Sequence, residues 1–355
     1  MSAAPRRIVI AAGGTAGHVV PALAVAEALR ADGAEVTFIG GGRAEAQLVP
    51  AAGFALHPIA VEGLSRSNPL RAIRALVRAA VALPRARALL RELRPDAVMG
   101  GGGYVAGPVG LAAVSRRIPL VLTEADSHLG LTNRLLARFA RRVCLAFPLA
   151  GRDGERYRVT GRPVAEPGLA RGAARERLGI GAEETCVVVF GGSLGARSIN
   201  LAAVEAFAGA PFRVLHLSGP RDYPELAARA LAPGYQLREQ LEPHEFAGAL
   251  AAADLAVARA GGSVFEIAAH GLPAVLVPYP HASADHQSAN ARWMVQAGAA
   301  VSIDDAALTP ARLLDEVTSL LGDRERLAAM SAASRGLARP QAAREVAGEL
   351  LDAAR

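Results

Sequence analysis

The chain contains no lysine: all 39 of its basic residues are arginine, against 33 acidic residues. That absence excludes Schiff-base chemistry and any phosphate loop of the GK[ST] type, since both need a lysine amine. Cysteine is nearly absent as well. Cys144 and Cys186 stand far apart with no CxxC or Cys/His spacing, which argues against a disulfide scaffold or a zinc site and for a reducing compartment. Aromatic residues are only 4% of a chain that is 52% hydrophobic, so the core has to be built from Ala, Val and Leu, the composition of an α/β protein with Ala-rich helices. No apolar run of spanning length is uninterrupted: residues 98–115 are uncharged but hold six glycines and a proline. The run at 8–12, behind Arg6 and Arg7, is too short for a signal peptide, and a cytoplasmic protein is expected.

What is present is a repeated strand, glycine turn and helix. RRIVIAA runs into GGTAGH and a helix with an apolar face of Leu23, Val25, Ala26 and Leu29, and ADGAEVTFIGG closes a βαβ unit with Gly33 as cap. CVVVFGGSLGARSINLAAVEAF repeats the pattern, with a turn at 191–195 and a helix from about Ser198. At 355 residues the chain suits two domains, and two such openings half a chain apart predict two doubly wound domains with a ligand cleft between them. The seam is expected in TGRPVAEPGLARGAA, giving 1–164 and 165–339, with 340–355 a helix crossing back to the first domain.

The glycine turns supply the candidate chemistry. A helix start behind glycines offers unpaired N–H donors and lets an anion or sugar approach the backbone. GGTAG does not fit GxGxxG, and no acid stands out on the second strand in TFIGGGRAEA, so a nicotinamide-dependent dehydrogenase is disfavoured. His18 at the first turn is a candidate general base. VMGGGGYVAGP is a second glycine turn in the same half, carrying Gly102, Gly103 and Tyr104, and LVLTEADSHLG sets Glu124 and Asp126 beyond a strand, to position a hydroxyl or cap a helix. ARAGGSVFEIAAHGLPAVLVPYP places Glu266 in a first helical turn, where a carboxylate can hold a ribose diol. HASADHQSANA gathers His281, Asp285, His286, Gln287 and Asn290 in no zinc spacing, which favours hydrogen bonding to a sugar.

In their order, GGTAGH, GGGGYVAGP, TEAD with GLTN, GGSLGARSIN, RAGGSVFE with AAHGLPAVLVPYP, and DHQSAN resemble the MurG family of bacterial peptidoglycan glycosyltransferases. The resemblance spans residues 13–290. It implies a GT-B fold, an N-terminal domain taking a lipid-linked acceptor and a C-terminal domain taking UDP-GlcNAc. The implied reaction moves GlcNAc, with inversion, to the C4 hydroxyl of undecaprenyl-diphospho-MurNAc-pentapeptide. Carried over by position, Thr15, Ala16, Gly17 and His18 match the transfer loop, and Ser193 the loop facing the diphosphate. Gly262, Ser263, Val264, Phe265 and Glu266 match the uridine and ribose segment, and Gln287 the glutamine holding the donor sugar. His18 is then the base, with Asp126 or Glu124 as alternatives. Three departures stand out: Ala16 for a usual glycine, Asp126 where asparagine is frequent, and GRPVA for GNPVR, which leaves Ala165 at an expected arginine and Arg162 as its substitute. No cofactor is implied, and without a DxD triplet the sequence requires no bridging metal.

The implied partners are UDP-GlcNAc, the lipid-linked acceptor, an anionic membrane surface on the cytoplasmic side, and cell-wall synthesis or division proteins, but no nucleic acid. The alternatives are another GT-B transferase with a different acceptor, or a nucleotide-sugar-binding protein without turnover. Residues 64–94 carry eight arginines against the single acid Glu92. Leu70, Ile73, Leu76, Val77 and Val81 recur there at helical spacing with Arg71, Arg74 and Arg78 beside them, which predicts a membrane-binding helix aided by residues near Leu64 and Pro69.

Overall fold

The computed structural model describes residues 4–61, 69–164, 168–229, 231–282 and 285–355, without the side chains at 69–73, 75 and 76. The chain divides into two compact units, Met1–Val164 with Arg339–Arg355, and Ala165–Ala338. Arg339 falls with the first unit because its side chain lies against Gly161.

In the first unit, strands β1 (Arg7–Ala11), β2 (Glu35–Gly40), β3 (Ala55–Pro58), β4 (Ala97–Gly100), β5 (Leu120–Glu124), β6 (Arg142–Leu145) and β7 (Tyr157–Val159) form one parallel sheet in the order β3-β2-β1-β4-β5-β6-β7. Helices α1 (Ala16–Ala31), α2 (Ala44–Ala51), α3 (Pro69–Leu93), α4 (Ala106–Ser115) and α5 (Leu131–Leu136) make its crossovers. The central strands are near-continuous apolar runs, as a sheet covered on both faces requires. The order reverses between β1 and β4, and the glycine turns after those two strands flank that point, where doubly wound folds take their ligands.

The second unit repeats the plan. Strands β8 (Cys186–Phe190), β9 (Arg213–Leu217), β10 (Tyr235–Arg238), β11 (Leu255–Ala258), β12 (Ala274–Leu276) and β13 (Ala300–Ser302) form a parallel sheet in the order β10-β9-β8-β11-β12-β13. Around it lie α6 (Arg171–Leu178), α7 (Arg197–Ala206), α8 (Tyr223–Ala227), α9 (Pro243–Ala252), α10 (Val264–Ala269), α11 (His286–Gln296), α12 (Pro310–Gly322) and α13 (Arg324–Leu337). The last helix, α14 (Ala342–Ala353), belongs to the first unit, where Val346, Ala347 and Leu350 join the core beside α1 and Glu349 pairs with Arg142 at 2.9 Å.

On α3 the described part of the apolar face expected to meet a membrane lies outward. Val77 and Val81 are 56% and 72% exposed, while Ala82, Ala86, Leu89 and Leu90 are buried against α4. Small alanines allow the close α3–α4 approach, so the packed stripe lies a turn or more C-terminal to the bulky residues. Leu64 and Ala165 lie outside the described residues.

Candidate active site

In the first unit, β1 ends at Ala11 and the chain turns through Gly14, at φ +113°, into α1. Thr15 caps the helix start without a side-chain hydrogen bond, and the Thr15 carbonyl accepts from the His18 N–H at 3.0 Å. The turn after β4 bends through Gly102 and Gly103, both at positive φ. No side chain could stand at either position. A Cβ on Gly103 would strike the Gly13 carbonyl, and one on Gly102 would lie 2.8 Å from His18 Nδ1. The two glycine turns therefore interlock, and the His18 ring rests on bare backbone. A pocket of about 50 Å³ beneath it is lined by Pro21, Met99, Glu124, Asn133 and Arg162, among others. It is too small for a sugar ring, which leaves the exposed rim at Thr15 and Gly17, with half-buried Ala16 between them, for a ligand.

Arg162 reaches the same turn for a specific reason. In a regular helix the Gly17 carbonyl would accept from residue 21, but Pro21 has no N–H to give. Arg162 fills the vacancy, donating to Gly17 O at 2.5 Å. Burial lowers the His18 pKa below its ordinary value and the Arg162 guanidinium lowers it further, while Asp126 pulls the other way. A neutral imidazole is what a proton acceptor needs. Arg162 thus sits with the transfer loop of the first unit.

Of the two acids after β5, Glu124 is taken up by its own loop. Its carboxylate accepts from the N–H groups of Asp126 at 3.2 Å and Gly130 at 2.8 Å, and from the Asn133 side chain at 2.9 Å. Burial pushes its pKa up against the pull of those donors. With its oxygens so engaged Glu124 shapes its own loop, and Asp126 is the half-buried acid facing His18.

The second carboxylate in this half was overlooked in the sequence. The stretch TFIGGGRAEA has no ribose acid at its strand end, yet it carries Glu45, fully buried in the first turn of α2. Its oxygens accept from the N–H groups of Gly14 and Gly41, each at 2.8 Å, and from the Tyr104 hydroxyl at 3.1 Å. Only the glycines packed round it, at 13, 40 and 41, hint at it in the sequence.

In the second unit, the turn 191–196 opens α7, whose N-cap Ala196 supplies no side-chain acceptor, so the first N–H groups of that helix are open to an anion. Ser193 is exposed in this turn, and its carbonyl accepts from Gln240 Nε2 at 2.8 Å. Arg259, missed in the sequence, braces the turn from inside. It donates to Ser198 Oγ at 2.8 Å, to Asp305 Oδ1 at 2.5 Å and to the carbonyls of Val277 and Pro278, and its guanidinium lies over Tyr279.

At α10 the residues of the expected ligand set differ in burial. Val264 and Phe265 are buried, Phe265 against Trp293, and their N–H groups are used by the Gly261 and Gly262 carbonyls. Gly262, Ser263 and Glu266 beside them are half-buried. Gln287, near the start of α11, accepts from the Tyr279 N–H at 2.9 Å through Oε1, which turns its amide nitrogen toward Gly261.

Residues 8–145 match the glycosyltransferase family 28 N-terminal domain and residues 186–346 the glycosyltransferase family 28 C-terminal domain. Two Rossmann-like units with glycine turns at their switch points and these matches define a glycosyltransferase of the GT-B class. The chain belongs to glycosyltransferase family 28. It is 44% identical to the UDP-N-acetylglucosamine--N-acetylmuramyl-(pentapeptide) pyrophosphoryl-undecaprenol N-acetylglucosamine transferase of Moorella thermoacetica, covering 95% of this chain and 96% of that one. The protein of the same name from Methylococcus capsulatus is 42% identical over 98% of this chain and 99% of its own. The crystal structure of Acinetobacter baumannii MurG is similar at TM-score 0.75 and 31% identity, covering 98% and 100% of the two chains. A kitacinnamycin glycosyltransferase, at TM-score 0.74 and 22% identity over 98% and 100%, shares the fold.

Proposed function

We propose that this enzyme transfers N-acetylglucosamine from UDP-GlcNAc to the C4 hydroxyl of undecaprenyl-diphospho-MurNAc-pentapeptide, the step that completes the lipid-linked disaccharide of peptidoglycan. The observation that carries the reading is identity of 44% and 42%, running through both units, to relatives named for this reaction. The first unit takes the acceptor and the second the donor. His18 removes the proton from the C4 hydroxyl as that oxygen bonds to the anomeric carbon. The bond from that carbon to the diphosphate breaks, UDP leaves with the electron pair, and the configuration inverts. Asp126 faces His18 and offsets the charge of the imidazolium that forms. The N–H groups at the start of α7, beside Ser193, receive the charge on the diphosphate. Glu266 accepts from the ribose diol, and the nitrogen of Gln287 donates to the sugar.

The acceptor's lipid places the enzyme at the cytoplasmic face of the membrane. No helix among the described residues is long and apolar enough to cross one. Peripheral contact falls to the outer side of α3 and its neighbours, where Val77, Val81, Leu135 and Phe139 are 50–72% exposed and Arg74 and Arg78 are exposed beside them. Each arginine near an anionic leaflet contributes on the order of 1 kcal/mol.

A transfer assay with labelled UDP-GlcNAc and the lipid-linked muramoyl-pentapeptide tests the reaction; labelled disaccharide is expected, and none forming would overturn the reading. Sedimentation with anionic and neutral vesicles at low and high salt tests the surface. Binding should require anionic lipid, weaken with salt, and fall when Arg71, Arg74 and Arg78 are all changed to Gln.

A further inference from the structure

A lone carboxylate in a protein interior costs several kcal/mol unless its oxygens are satisfied. Glu45 is fully buried, and the donors it gathers from other turns are two peptide N–H groups and a phenol. Burial works against its charge, but the bonds from Gly14, its own peptide N–H, Tyr104 and Gly41 hold its pKa below the ordinary carboxylate value. Burial and the Glu45 charge push the Tyr104 phenol up to about 12, so the hydroxyl stays a donor. An apolar side chain could fill this space if packing were all that mattered. Only a group with two accepting oxygens can gather three donors at one point.

The three donors come from three turns. Gly14 lies after β1, Gly41 after β2 and Tyr104 after β4. The glycines leave room for the knot: a Cβ on Gly13 would lie 2.7 Å from Glu45 Oε1, and one on Gly41 would lie 2.7 Å from the Tyr104 hydroxyl. The Tyr104 ring in turn lies over Gly14, where a Cβ would meet it at 3.3 Å, and Tyr104 directly follows the two glycines on which the His18 ring rests. His18 itself stands four residues beyond Gly14.

We propose that Glu45 is a positioning residue for the transfer reaction, its carboxylate fixing the turns after β1, β2 and β4 and, through Gly14 and Tyr104, the place of the His18 ring. The proposal rests on the reading of His18 as the base. Glu45→Gln keeps the size and turns an NH₂ group toward one of the donors, so one tie is lost and the fold is kept. Tyr104→Phe cuts the third tie alone.

A displacement of about 1 Å at a reacting group costs on the order of 10²-fold in rate. Glu45→Gln is therefore expected to lower kcat by about 10- to 100-fold. The Kd for UDP, whose binding residues are in the other unit, should stay within about two-fold, since that unit keeps its donors. Tyr104→Phe should lower kcat less, and the double variant should be no slower than Glu45→Gln, because both changes cut one knot. Amide hydrogen exchange, read independently of activity, should show lost protection at Gly14 or Gly41, whichever donor the new NH₂ group faces, in Glu45→Gln. Unchanged kcat, a kcat loss matched by an equal loss of UDP binding, or fully additive single changes would each overturn the proposal. Absence of transfer in the unmutated enzyme would strike the proposed reaction instead, and unchanged exchange at the two glycines would then overturn the clamp.

Discussion

Both units tie their glycine turns with a buried carboxylate, but they balance its charge differently. In the first unit Glu45 is held by peptide N–H groups and a phenol. In the second, Asp222 accepts from Asn200 at 2.8 Å, from Arg221 at 2.8 and 2.9 Å and from Arg197 at 3.1 Å, and these bonds, Arg221's first, hold its pKa down at about 2. Asn200 also donates to the Ser218 carbonyl, which lies against Gly195 of the α7 turn. A chain of bonds runs on from it: His216 Nε2 donates to Asn200 Oδ1 and the Tyr235 hydroxyl donates to His216 Nδ1, the only polarity that satisfies a neutral ring between these partners. Dipoles fix the turn proposed to host a neutral hydroxyl and its base. Arginines fix the turn proposed to host a diphosphate, and they leave cationic surface beside it. The same backbone plan is thus tuned to opposite chemistry by what surrounds one carboxylate.

The sharpest way to break this division is to remove one acting residue from each side. His18→Ala should lower kcat by about 10²- to 10⁴-fold, as loss of a positioned base does, with little change in UDP binding. Glu266→Ala should do the reverse, raising the UDP-GlcNAc KM by about 10- to 100-fold through lost charge-assisted hydrogen bonds while kcat changes little. Steady-state kinetics with isothermal titration of UDP would read both, and a pair of variants that fail in the same parameter would refute the split.

Acid should expose the second unit's buried histidine. Burial lowers His216 to about 4. As pH falls below about 6.5 the unfolded chain takes up a proton that the folded one refuses, so stability drops by about 1.4 kcal/mol per unit until the folded value is reached. By pH 5 the expected loss is about 2 kcal/mol. Asp222 has a lowered folded value, so its contribution persists to lower pH and fades only below the carboxylate range, toward about 2. Trp293 is the only tryptophan and lies in this unit, so its fluorescence in denaturant melts reports it directly. A His216→Gln variant should flatten the slope between pH 6.5 and 5.

The smallest expected effect is at Arg162. Its cation disfavours the charged form of His18, so Arg162→Gln should raise the histidine's pKa and move the acidic limb of kcat/KM upward, by less than about one unit because the burial contribution stays. An unmoved limb would mean that a group other than His18 sets it.

Much of this was legible in the sequence wherever the signal is local. A strand of apolar residues, a run of glycines and a helix with one apolar face announce themselves within about 25 residues, and β1 to α1 and β8 to α7 are such stretches. The knots were not legible, because Glu45 meets Tyr104 and Arg259 meets Asp305 across long stretches of chain, and each acid in isolation reads as an ordinary helix-start residue. Val264 and Phe265 make a related point: a motif marks positions, and only the fold shows which of them face inward.

The placement of α14 sets an order of events when the chain is made. A ribosome delivers residues 165–338 as one continuous stretch, so the second unit has all of its sequence before α14 is made. The first unit starts before it and is completed after it, because Val346, Ala347, Leu350 and the pairing of Glu349 with Arg142 arrive only with α14. Until then β4, β5 and β6 lack the cover that α14 gives their apolar face in the finished fold. The first unit is therefore completed after the second, and the nascent chain carries that uncovered sheet face throughout the translation of its partner domain.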